Sequence, residues 1–109
     1  MNNAQVFRAI GLDDEISSTS KYTLMIIVHV CMSWADKSYR GKISADQIAK
    51  ASAQSSRQVQ RHLKQLVDAG WLSRSAEKRG PGLHHKSLTI LNQGKVREIL
   101  DRPRDTTEL

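Results

Sequence analysis

The sequence predicts an α+β fold, mostly α, built as one domain. Three observations predict it. Two helix starts of the form Ser-x-x-Gln, Ser44-Ala45-Asp46-Gln47 and Ser55-Ser56-Arg57-Gln58, stand eleven residues apart. That spacing leaves room for about two turns of helix and a tight turn before the next helix begins. The second of these helices runs amphipathically to Ala69 and meets Gly70, a favourable residue just past a helix end. Two strand-like runs then follow, Trp71–Ser75 and Lys86–Leu91, around a loop with Gly80-Pro81-Gly82 at its centre, the pattern of a β-hairpin.

The elements follow in order along the chain. Asn3 to Ile10 reads as a short helix with Val6, Phe7 and Ile10 on one side, ended by Gly11. Leu12 to Ser20 is polar and acidic and reads as a solvated connector. A second helix is expected from Ser18 or Ser20 to about Trp34. Its centre, Leu24-Met25-Ile26-Ile27-Val28, is rich in β-branched residues, but the length, the Ser/Thr start and the absence of Gly and Pro favour helix over strand. A helix apolar most of the way round belongs at the buried centre. Ala35 to Lys42 reads as a polar loop. A short helix, a tight turn and a longer helix make a helix-turn-helix, and a hairpin placed directly after it is a wing. On the hairpin's second strand Leu88 and Ile90 share one face. Asn92 caps a last helix carrying Val96, Ile99 and Leu100. The organisation expected is an N-terminal helix and connector over 1–16, a winged helix-turn-helix over 17–91, a C-terminal helix over 92–101 and a disordered tail over 102–109. The apolar stripes of the two outer helices have no place in a minimal winged helix and are candidates for a homodimer interface.

Charge is unevenly distributed. The chain carries 17 Lys and Arg against 11 Asp and Glu, a formal +6. Between Ser55 and Lys86 stand Arg57, Arg61, Lys64, Arg74, Lys78, Arg79 and Lys86 against only Asp68 and Glu77, so that span holds +5 of the total. A positive field confined to one stretch suits a polyanionic partner. The single cysteine, Cys31, sits in an apolar run and reads as a small buried hydrophobe; it allows no internal disulfide and no zinc cluster. The longest apolar run is too short for a membrane span, which takes roughly 20 residues. No signal-peptide pattern is present, so a reducing cytoplasm is the expected compartment.

The helix after Ser55 carries the most information. At about 100° per residue, Val59, Leu63, Leu66 and Gly70 fall on one side and Arg57, Arg61, Lys64 and Asp68 on the other. Gln58, Gln60 and Gln65 flank the polar stripe. Arginine bonds twice to guanine and glutamine twice to adenine in the major groove, which admits one helix. The N-terminal end of such a helix enters deepest, which selects Ser55, Ser56, Arg57, Gln58, Gln60, Arg61 and Lys64 as contacts to double-stranded DNA. The serines and the free amides at the helix start also suit a phosphate oxygen. Lys78, Arg79 and His84 of the hairpin loop, and Lys86 at the start of the second strand, suit the DNA backbone. His84-His85 lacks a third ligand, so no metal is expected; His29 and His62 read as packing residues. Without a phosphate loop, a nucleophile motif or zinc spacing, neither catalysis nor a cofactor is expected.

The run Ser44-x-x-x-Ile48-Ala49, Ser56-Arg57-x-Val59-x-Arg61-x-Leu63-x-x-Leu66 and Ala69-Gly70-Trp71-Leu72 resembles the winged helix-turn-helix domains of phage and plasmid proteins. Among these are the N-terminal domains of replication-initiation proteins of the replication protein O type, and small transcriptional regulators. The resemblance covers roughly 17–91. It implies that Arg57, Gln58, Arg61 and Lys64 meet DNA and that Lys78 and Arg79 touch its backbone or minor groove. A transcriptional regulator is the first expectation. A replication or partition protein with the same fold is the second, and a winged-helix module for protein contacts the third.

Overall fold

A computed structural model describes residues 2–32, 37–75 and 86–102. In chain order it contains helix α1 (Asn3–Leu12), helix α2 (Ser18–Ile26), strand β1 (Arg40–Ile43), helix α3 (Ala45–Ser52), helix α4 (Ser56–Asp68), strands β2 (Leu72–Arg74) and β3 (Ser87–Leu91), and helix α5 (Gln93–Asp101). The architecture is α+β and mostly helical, with one antiparallel sheet in the order β1-β3-β2. It is compatible with a winged helix. The expected loop residues Ala76–His85 and the tail from Pro103 lie outside the described residues, as does Trp34.

Polar residues set the helix ends. Asn2 and Gln5 form a capping box at the start of α1, Ser17 accepts from the amide of Ser20 at α2, and Asn92 accepts from that of Lys95 at α5. Gly11 does not end α1: the helix continues through Leu12 and is capped by Asp13. One glycine costs a helix only about 1 kcal/mol, and α1 recovers more by burying Val6, Ala9 and Ile10. The second helix is α-helical only to Ile26; Ile27–Cys31 form a π-helical turn, and Met32 is extended. The β-branched run therefore straddles the point where the helix widens. Arg102, assigned by sequence to the tail, is the C-cap of α5 and lies 3.2 Å from Glu98.

The stretch read as a loop before Ile43 contains β1. It pairs with β3 from Arg40↔Ile90 to Ile43↔Ser87. Gly41 lets it approach the end of the second helix: a Cβ there would stand 2.8 Å from the carbonyl oxygen of Cys31. Strand β2 pairs with the other edge of β3, from Leu72↔Leu91 to Arg74↔Thr89. Leu88 and Ile90 do share a face, but it is the outer one; Thr89 and Leu91 point into the core.

One core joins every element. Leu24, Ile27, Ile43, Ile48, Val59, Leu66 and Trp71 are buried in it together with Val6, Ile10, Val96 and Ile99. The outer helices α1 and α5 pack against each other, so the apolar stripes expected to serve a homodimer are largely used within the chain. Phe7 and Leu100 remain partly exposed. The acidic connector is likewise not all solvated. Asp13 is fully buried and accepts from Trp71 Nε1 at 2.6 Å and from the amide of Glu15 at 3.0 Å.

Candidate nucleic-acid interface

Helix α4 presents the residues that the sequence selected. Its inner side buries Val59, Leu63 and Leu66, while Arg57, Gln58, Gln60, Arg61 and Lys64 are exposed and Ser56 is half-exposed. The segregation follows from the 3.6-residue repeat. Arg57 and Arg61 make no ion pair among the described residues, so two guanidinium groups stand in solvent unneutralised on one face. Lys64 differs. Its ammonium lies 3.7 Å from Asp68, with both side chains mostly in water. Such a pair contributes about 0.2–0.5 kcal/mol and is easily exchanged for another anion.

The start of α4 is already occupied. Ser55 Oγ accepts from the amide of Gln58 at 3.2 Å, and the Gln58 side chain accepts from the amide of Ser55 at 3.3 Å. This reciprocal capping box uses one arm more than the one at Ser44, where the structure shows only Gln47 N donating to Ser44 Oγ at 3.0 Å. Ser55 and Gln58 are thus engaged in holding the helix start, whereas Gln60 on the neighbouring turn is exposed. Lys86 is exposed just before β3. Lys78, Arg79 and His84 lie outside the described residues.

The turn before α4 is short and strained. Ala53 adopts a left-handed conformation (φ 57°, ψ 40°) at the end of α3, and Gln54 N reaches back to Ala49 O at 3.1 Å. Only two residues, Gln54 and Ser55, then separate Ala53 from α4. At the other end of α4, Gly70 takes φ 83°, with Gly70 N bonded to Val67 O and Trp71 N to Leu66 O. This pairing of amides with late carbonyls is a Schellman motif.

No protein-family model matches the chain, and no curated protein sequence does. A solved structure is similar. It is that of disulfide-formed AbfR, with a TM-score of 0.53 and 19% identity, covering 97% of this chain and 68% of AbfR. At that identity the likeness to AbfR concerns the fold alone. Among the described residues no helix is long and apolar enough to cross a membrane, and no three His, Cys, Asp or Glu side chains gather as metal ligands.

Sequence reasoning missed the groups that aim α4. His62 is no mere packing residue. Its Nδ1 lies 2.7 Å from Thr23 Oγ1 on α2, and Gln54 Nε2 donates to the same oxygen at 2.8 Å. Thr23 gives its one proton to Thr19 O at 3.0 Å, so His62 Nδ1 must be the donor toward Thr23. Burial lowers the pKa of His62 below the ordinary histidine value. Gln65, expected beside the polar stripe, accepts from Ser17 N at 3.2 Å and ties α4 to the start of α2. The C-terminal end is held by α5: Lys95 Nζ donates to Ala69 O at 2.7 Å and Asn92 Nδ2 to Gly70 O at 2.9 Å. These partners are 22 to 48 residues apart in sequence, beyond the reach of periodicity. Cys31, expected to be buried, is half-exposed.

Proposed function

We propose that this chain is a winged helix-turn-helix domain that binds double-stranded DNA without catalysing a reaction. Helix α4 enters the major groove, and the basic residues around the β2–β3 connection meet the backbone. One observation carries the reading: Arg57 and Arg61 stand exposed, without an ion pair among the described residues, on the face of α4 opposite the buried Val59, Leu63 and Leu66. An immobilised helix with its cations turned outward fits the width of the major groove. In this reading Arg57, Gln60 and Arg61 address base edges, Lys64 exchanges Asp68 for a phosphate, and Ser55 and Gln58 keep the helix start rigid. A transcriptional regulator of phage or plasmid genes, acting in the cytoplasm, is the role that best matches a small DNA-reading domain.

Self-association is a separate matter. With Val6, Ile10, Val96 and Ile99 buried inside the chain, a homodimer through α1 and α5 would have to use what these helices still expose. A dimer predicts half-sites about 10 bp apart.

Selection of bound duplexes from a random pool, at near-physiological salt, tests the proposal. Enrichment of a defined motif supports it, and two half-sites one DNA turn apart would add the dimer. A pool that stays random, with affinity insensitive to salt, would overturn it, because phosphate contacts make affinity fall steeply as salt rises.

A further inference from the structure

Arg74 is a cation that the fold holds in place and that has no counter-charge among the described residues. It is the last residue of β2, paired with Thr89 on the sheet face that also carries the buried Leu72 and Leu91. From there its guanidinium reaches the far edge of the sheet, where Nη2 donates to Ile43 O of β1 at 2.7 Å. The side chain is half-buried, and loss of hydration lowers its pKa. An arginine drawn out of water is ordinarily matched by a carboxylate. Arg74 makes no ion pair among the described residues, and none of the three strands contains Asp or Glu. The bond to Ile43 O uses one of the five N–H donors of a guanidinium. No buried side-chain nitrogen among the described residues lacks a partner, so the other two nitrogens of Arg74 reach solvent.

The position adds to this. Arg74 ends β2 and Ser87 begins β3, so the guanidinium lies at the root of the connection between these strands. Lys86 is exposed at the same root, whereas Lys42 of β1, paired with Leu88, lies on the other face of the sheet. A tie between β2 and β1 alone needs one N–H and no charge. A planar, pre-oriented guanidinium with no carboxylate paired to it among the described residues suits a doubly bonded phosphate.

We propose that Arg74 is a phosphate anchor, gripping the backbone of the same duplex that α4 reads. The inference rests on the DNA-binding reading of α4. It adds a backbone contact from inside the sheet.

The test is a titration of duplex DNA by fluorescence anisotropy at several salt concentrations, with wild type, Arg74→Met, Arg74→Lys and Arg61→Ala. Met keeps the stem and removes the charge. It should bind every duplex sequence about fivefold more weakly near physiological salt, with the slope of log affinity against log salt shallower by about one. Arg74→Lys should keep the wild-type slope. Because Arg74→Met also loses the bond to Ile43 O, thermal melts establish whether it folds. Modification of Arg74 by phenylglyoxal in the wild-type chain reads the contact without a variant, and bound duplex should slow it. A folded Arg74→Met with the wild-type slope, or modification unaffected by DNA, overturns the anchor even when Arg61→Ala weakens binding. If the wild-type chain binds no DNA, both the anchor and the reading of α4 fall. Slowing by an acidic peptide but not by a duplex would assign the site to a protein partner instead.

Discussion

Asp13 lies at the end of α1 with no solvent exposure and both carboxyl oxygens engaged. Removing it leaves the indole N–H of Trp71 buried without an acceptor. An unpaired buried donor costs about 1–3 kcal/mol. Asp13→Ala should therefore lower the unfolding free energy by about that much in urea melts, while Asp14→Ala, at an exposed position, stays within about 0.5 kcal/mol of wild type. The two neighbours cannot be told apart by composition; the difference is set by Trp71, 58 residues away. His62 permits a second prediction at this scale. Its folded pKa lies below the unfolded value of 6.5 because burial disfavours the imidazolium. The unfolded chain then binds more protons, so this contribution to stability is present above the unfolded pKa and declines as pH falls through it. Thermal melts from about pH 7.5 to about pH 5.5 should show a decline that is smaller in His62→Gln. An identical decline in both proteins would assign the dependence to other groups.

At the scale of elements, α4 is the piece whose direction matters, and it is held on several sides. The Ser55–Gln58 capping box fixes its start, Thr23 and Ser17 hold its flank through His62 and Gln65, and Lys95 and Asn92 hold its end. Arg61 can then be placed against a base edge without losing much orientational freedom. If it reads a base, Arg61→Ala should reduce discrimination between matched and mismatched duplexes by about 1–3 kcal/mol. Equal weakening on all duplexes would make Arg61 a phosphate contact. This helix was legible in the sequence because its determinants are local: a Ser-x-x-Gln start, an apolar repeat and a glycine end. Strand β1 was not. Its four residues, Arg-Gly-Lys-Ile, have weak strand propensity and form a strand only because β3 supplies a partner from 44 to 50 positions further on. The tight turn before α4 was expected, but not the left-handed Ala53 within it, since such an alanine is tolerated only when the helices on either side determine it.

Across the whole molecule, the same core that buries the inner side of α4 also buries the facing stripes of α1 and α5. The outer helices are therefore part of the domain and not additions to it. Trp71 joins them to the end of α4: it bonds to Asp13 after α1, and Lys95 of α5 lies 5.8 Å from its ring. The sequence allowed the apolar stripes of α1 and α5 to be found, but not their destination, because an amphipathic helix does not specify which surface covers it. The two faces of α4 were visible for the opposite reason: burial and charge segregate within thirteen consecutive residues. The central claim is that the exposed face of α4 meets DNA. Mapping amide chemical shifts during titration with a duplex carrying the selected motif tests it most directly. The largest changes should fall on Ser55 to Lys64, with smaller ones at Arg74 and Lys86. Changes concentrated on α1 and α5, with α4 unmoved at saturation, would contradict it.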